Sequence, residues 1–159
     1  MAVSIEFQNR FKEYVELQGK VNKHQLANDM NIAYTIFSKA YNYGIVPKPI
    51  VLMRIADFFK ISVEYLLGNT DNEYFEKSKD PKTFQERLTY LRTLKNLTPS
   101  DLTRHTHIHR NRILQWDKYN YIPSLHDLTI LADFFDVSLD YLLGRTDDDT
   151  PYDDLDGDK

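Results

Sequence analysis

Apolar positions along this chain recur at the three-and-four spacing of a helix, and nowhere do they alternate as in a half-buried strand. In the second half, Phe84, Leu88, Leu91 and Leu94 form one such stripe. Thr98-Pro99-Ser100-Asp101 then has the chemistry of a helix start. A hydroxyl stands at the N-cap, a proline follows where its missing N–H costs nothing, and an acid occupies the third position. The spacing predicts a helix through Arg104, a turn at 106–108, and a second short helix over 109–118 that turns Ile113 and Trp116 inward. A longer helix follows at 124–135, burying Leu125, Leu128, Leu131 and Phe134/Phe135, and Ser138 caps a last turn that Gly144 stops. The first half has the same rhythm. One helix runs to about Gln18 with Gly19 as its stop, Asn22 and Gln25 cap the next over 25–30, and others occupy 33–42, 49–59 and 62–67. The expected fold class is all-α.

The common rhythm reflects an internal repeat. ADFFKISVEYLLGNTD (56–71) and ADFFDVSLDYLLGRTD (132–147) agree at 11 of 16 positions, 76 residues apart. Upstream, FQNRF (7–11) matches FQERL (84–88) at an offset of 77, so the first copy holds one extra residue in between. Such a period marks a duplicated unit. The expected organisation is a first unit at 1–70, a linker at 71–81, a second unit at 82–146 and an acidic, disordered tail at 147–159.

Composition narrows the function. The 159 residues contain no Cys, which removes disulfides, thiolate metal sites and cysteine nucleophiles, and is compatible with a reducing cytoplasm. No apolar run approaches the roughly 20 residues of a membrane span, and the first residues lack the pattern of a signal peptide. The net charge of −4 is unevenly placed. Residues 147–159 hold seven Asp and one Lys, so the rest of the chain carries +2. Two mildly basic bodies with an acidic tail are compatible with a nucleic-acid partner.

T-P-S-D-L (98–102), I-H-R-N-R-I-L-Q-W-D-K (108–118), I-P-S-L (122–125), L-A (131–132) and F-x-V-S-L-D-Y-L-L-G (135–144) together resemble the lambda-repressor/Cro-type, or XRE-family, helix-turn-helix domains. The likeness covers 84–146, and 7–70 resembles the same module with more departures. The resemblance implies two tandem five-helix DNA-binding domains. In that arrangement the second helix of the motif lies in the major groove of double-stranded DNA while the first crosses the backbone. On helix 109–118 it leaves His109, Arg110, Asn111, Arg112 and Gln115 outward. Arg110, Asn111 and Gln115 match the base-reading positions; arginine pairs with guanine, and asparagine or glutamine with adenine. Lys118, Tyr119 and Tyr121 fall where phosphate contacts lie. Pro99 stands where the family usually has a phosphate-contacting Gln, leaving Ser100 and Thr98 to supply part of that contact. In the first copy the candidates are Tyr34, Thr35 and Lys39 beside an outward Ile36; Ala33 replaces the capping serine and Ala40-Tyr41 the Trp-acid pair. That copy either reads DNA too or has turned to dimerisation or partner binding, with Tyr65 and Tyr141 as candidates for pairing chains.

The remaining constellations are weaker. His105, His107 and His109 alternate across a helix-turn-helix corner, which splays their rings apart and fits a pH-tunable phosphate patch better than a metal site. The Asp cluster lacks the spacing of a calcium loop. No nucleophile has a recognisable base, so no enzyme activity, metal or cofactor is expected. The expected protein is a cytoplasmic, nucleoid-associated regulator of bacterial or phage type, a homodimeric repressor. The rival is a protein-interaction module on the same fold, an antirepressor or an inhibitor of a nucleic-acid enzyme.

Overall fold

A computed structural model of the chain describes residues 2–151. The expectation of a disordered tail falls, over 152–159, outside the described residues. The chain divides into two compact units, Met1–Tyr74 and Phe75–Lys159, here called unit 1 and unit 2. Unit 1 holds α1 (Ile5–Glu16), α2 (Lys23–Asp29), α3 (Tyr34–Tyr43), α4 (Pro49–Phe59) and α5 (Val63–Leu66). Unit 2 holds α6 (Phe84–Leu94), α7 (Pro99–Thr106), α8 (Arg110–Tyr119), α9 (Leu125–Phe135) and α10 (Leu139–Leu142). The fold is all-α, with only two isolated β-bridges among the described residues, Val3–Ile45 and Lys77–Thr146. No helix of the described residues is long and apolar enough to cross a membrane.

The starts and stops of these helices follow from local chemistry. Thr98 accepts from the Asp101 N–H while the Asp101 carboxylate accepts from the Thr98 N–H, a reciprocal cap that satisfies two otherwise orphaned donors. Thr83 and Glu86 do the same for α6, and Ser62 and Ser138 cap α5 and α10. Left-handed backbone falls at Gly19, Asn31, Gly44, Lys60 and Gly68 in unit 1. In unit 2 it falls at Asn96, His107, Asn120, Asp136 and Gly144. The first of these pairs is offset by 77 and the other four by 76, which places the extra residue in the α1–α2 turn. Gly144 is required twice over: its φ is +78°, and a Cβ there would collide with the Lys82 carbonyl.

Each unit buries its own core. Phe7, Phe11, Phe37, Leu52, Ile55 and Leu66 fill unit 1, with the Phe11 ring edge-on to Phe37 at 5.1 Å between centroids. Leu102, Ile108, Ile113, Leu128, Leu131 and Leu142 fill unit 2, where Phe84 meets Trp116 edge-on at 5.7 Å. The residues that differ compensate one another. Phe11, Phe37 and Ala40 of unit 1 stand where unit 2 has Leu88, Ile113 and Trp116, so aromatic bulk lost at one position is regained at two others.

A polar staple closes both units. The Arg10 guanidinium of α1 lies 4.1 Å from the Tyr65 ring centroid, donates to the Tyr65 and Thr70 carbonyls and pairs with Asp71. Arg87 of α6 lies 4.1 Å from the Tyr141 ring, donates to the Thr146 carbonyl at 2.9 Å and pairs with Asp147 at 3.0 Å. A guanidinium suits this role because its flat face stacks while its edge donates several hydrogen bonds. Tyr65 and Tyr141 both lie beneath arginines; Tyr141 is buried, so the expectation that its exposed remainder pairs chains is corrected, while Tyr65 is half-buried. The stretch 71–81 is taken into the bodies. The Ser62 N–H donates to the Glu73 carbonyl, and Phe75 lies against the Arg145 guanidinium at 4.4 Å. Ser78 bonds to Asp147 at 2.8 Å, tying the first residue of the acidic segment to unit 2.

Candidate nucleic-acid interface

In unit 2 the α7–α8 corner is fixed by packing. Ile108, between the helices, is fully buried, and the Thr106 hydroxyl donates back to the Leu102 carbonyl at 2.7 Å. This carries α7 past Arg104, its expected end, to Thr106, and the left-handed His107 then turns the chain. His109 N-caps α8, its Nδ1 accepting the Asn111 N–H at 3.1 Å. Ile113 and Trp116 are buried at 2% exposure each, which fixes the rotation of α8 about its axis. Arg110, Asn111, Leu114, Gln115 and Lys118 are all exposed. Among the described residues, no carboxylate lies within ion-pair distance of Arg110 or Lys118.

The twelve candidate residues separate by what already holds them. Arg110, Asn111 and Lys118 present polar groups outward from α8, and Ser100 is exposed in the first turn of α7. Gln115 accepts from the Tyr121 hydroxyl at 3.3 Å, and the Tyr119 and Tyr121 rings stack at 6.3 Å beside Lys118. Arg112 differs: its Nε and Nη2 donate to both oxygens of Asp127 at 3.1 and 2.8 Å, a bidentate pair that ties α8 to α9. His109 likewise serves as a cap with its Nδ1. In unit 1, Tyr34 stacks on His24 at 3.5 Å between ring centroids, while Thr35 and Lys39 are exposed. Ala33 makes no side-chain cap to α3.

The three alternating histidines have separate surroundings. His105 stacks on Phe134 at 5.5 Å, His107 is the left-handed turn residue, and His109 is the cap.

Two positioning residues emerge that the helix pattern does not single out. The Gln85 amide donates to the Trp116 and Tyr121 carbonyls at 3.1 and 3.0 Å, holding the end of α8 to α6. Asp127, buried on α9, orients Arg112. Gln8 makes the matching bond in unit 1, to the Tyr41 carbonyl at 3.0 Å. The signal for this pair is the glutamine common to FQNRF and FQERL.

No known protein family's profile matches the chain, and no solved structure matches it. A stretch of 60 residues is 37% identical to the HTH-type transcriptional activator BcrR of Enterococcus faecalis. That stretch is 38% of this chain and 29% of the relative, so the chain spans less than a third of the relative's length.

Proposed function

We propose that this chain is a sequence-specific, double-stranded-DNA-binding transcription regulator built from two tandem helix-turn-helix units of the lambda-repressor type, with α8 as its reading helix. The observation that supports this most is the rotation of α8. With Ile113 and Trp116 held inward, its first turn offers Arg110 and Asn111, and the next turn Gln115, to a groove. These side chains can distinguish base edges. Lys118, Ser100 and the tyrosine hydroxyls follow where a backbone would run, setting affinity and register without specifying sequence. Arg112 acts through its pair with Asp127, keeping α8 at a fixed angle to α9. The likeness to an HTH-type transcriptional regulator points the same way.

The proposed mechanism is occupancy of the DNA site by a cytoplasmic protein, with repression as its expected result. One strong reading helix per chain favours a homodimer on a palindrome, its two helices about 34 Å apart, one turn of DNA. Selection of bound sequences from a random duplex pool with the full chain tests the proposal. Enrichment of a palindromic site is expected. Failure to enrich any sequence, with binding no stronger than to bulk DNA, would overturn it. A reporter gene placed behind the selected site then reads the direction of regulation.

The rival reading, a protein-interaction module, is favoured at unit 1 alone, where Ile36 and Val51, at the positions of Arg112 and Asp127, line an apolar cleft with Ile45 and Val46.

A further inference from the structure

On unit 1, Ile36, Ile45, Val46 and Val51 line a cleft of about 330 Å³, with exposed Lys39 and Lys48 beside them. The apolar surface continues onto the N-terminal residues. Val3, bridged to Ile45, is 65% exposed and Ile5 71%. The fold does not demand this. At the offset of 76, Ile36 and Val51 correspond to Arg112 and Asp127, which unit 2 joins as a bidentate ion pair. At the offset of 77, Val3 and Ile5 correspond to Asp80 and Lys82, which pair at 2.9 Å. Unit 2 thus carries paired charges at these positions, whereas unit 1 carries apolar residues, with Val51 buried, Ile36 half-buried, and Val3 and Ile5 exposed. Exposed apolar surface of this kind marks an interaction site.

The two lysines select among occupants. Among the described residues, neither has a carboxylate within ion-pair distance. A second copy of the same cleft would bring like charges together, which opposes self-association. Duplex DNA would satisfy the lysines with phosphates, yet offers the apolar walls little beyond a thymine methyl. A peptide with an apolar side chain between carboxylates satisfies both features. We propose that this cleft docks an acidic segment of a partner protein, with one branched apolar side chain entering between Ile36 and Val51 and flanking carboxylates meeting Lys39 and Lys48. This inference is independent of whether α8 reads DNA.

The test uses the full chain with isotope-labelled methyl groups and a synthetic peptide, capped Asp-Asp-Leu-Asp-Asp. Saturable shifts of the Ile36, Ile45, Val46 and Val51 methyl resonances are expected, and none when the leucine is replaced by serine. Exchanging both lysines for glutamate (Lys39→Glu, Lys48→Glu) should weaken binding at least tenfold. The double variant Ile36→Arg/Val51→Asp installs the ion pair that unit 2 already accommodates. It should keep a native spectrum and lose the peptide. The proposal is overturned if the peptide gives no saturable shift, if the double variant binds it equally well, or if a random DNA duplex moves these methyls and the peptide does not.

Discussion

In unit 1 the aromatic bulk of the core comes from α1 and α3, as Phe11 and Phe37 around Ala40, and the surface over α3 and α4 is an apolar cleft. In unit 2 the bulk comes from Trp116 beside Leu88 and Ile113, and the corresponding surface holds the Arg112–Asp127 pair. The left-handed residues nevertheless fall at matching places in both. Backbone and core volume are held together, because a buried site tolerates change only when its neighbours restore the volume. The surface has no such constraint. It carries exposed Arg110, Asn111 and Gln115 in one unit and an apolar cleft in the other.

The largest expected effect breaks the core half of this comparison. Trp116→Ala reproduces Ala40 without the compensating phenylalanines and should cost unit 2 about 3–5 kcal/mol. Adding Leu88→Phe and Ile113→Phe should restore more than half of that loss, as followed by circular dichroism in urea. If the triple variant is no more stable than Trp116→Ala, the volume exchange is not what relates the two cores. Next comes the staple. Arg87→Ala removes a charge-assisted hydrogen bond and a ring contact and should cost about 2–3 kcal/mol. The only tryptophan of the chain lies in unit 2, so its fluorescence during urea unfolding reports on that unit. Arg10→Ala should leave the fluorescence transition of unit 2 in place.

A smaller loss, about 1–2 kcal/mol, is expected for Arg112→Ala, which leaves the buried Asp127 without its bidentate partner. The same variant should lower affinity for every DNA sequence by a similar factor, because the angle of α8 is disturbed while its reading residues remain. A change of sequence preference instead would make Arg112 a reader. The smallest effect concerns Asp147. Bonds from the Ser78 hydroxyl and then from Arg87 hold its carboxyl below the ordinary 3.8. The ionised form is thus favoured by folding, and its stabilisation is complete above 3.8 and lost as pH falls through the lower folded value. Asp147→Asn should therefore lower the melting temperature slightly near neutral pH, with the difference from the natural chain closing in acid. Because this side chain is 60% exposed, added salt should shrink the effect further.

The helices were legible in the sequence because their signals are local. Thr98 with Asp101, Ser138, Gly144 and the spacing of Ile113 and Trp116 each act within a few residues. What could not be read depends on where distant segments meet. Arg112 has the residue type and position of a base reader, and only the approach of α9 fifteen residues later engages it with Asp127. Asp147 and Ser78 lie 69 residues apart and looked like tail and linker until the fold joined them. The spacing of Tyr65 and Tyr141 could not show that Arg10 and Arg87 would lie over their rings. The cleft of unit 1 was half legible. An outward Ile36 was visible, whereas its grouping with Ile45, Val46 and Val51 required the turn after α3.

The claim that α8 is the reading helix is tested most directly by fluorescence anisotropy of the selected duplex, titrated with the full chain, Arg110→Ala and Lys39→Ala at matched salt. Arg110→Ala should lose about 1–3 kcal/mol of binding free energy, roughly five- to over a hundredfold in affinity, and relax preference at one base pair. Lys39→Ala should change affinity less and leave preference intact. If Arg110→Ala binds the selected duplex with undiminished affinity and preference, α8 does not read DNA and the account fails.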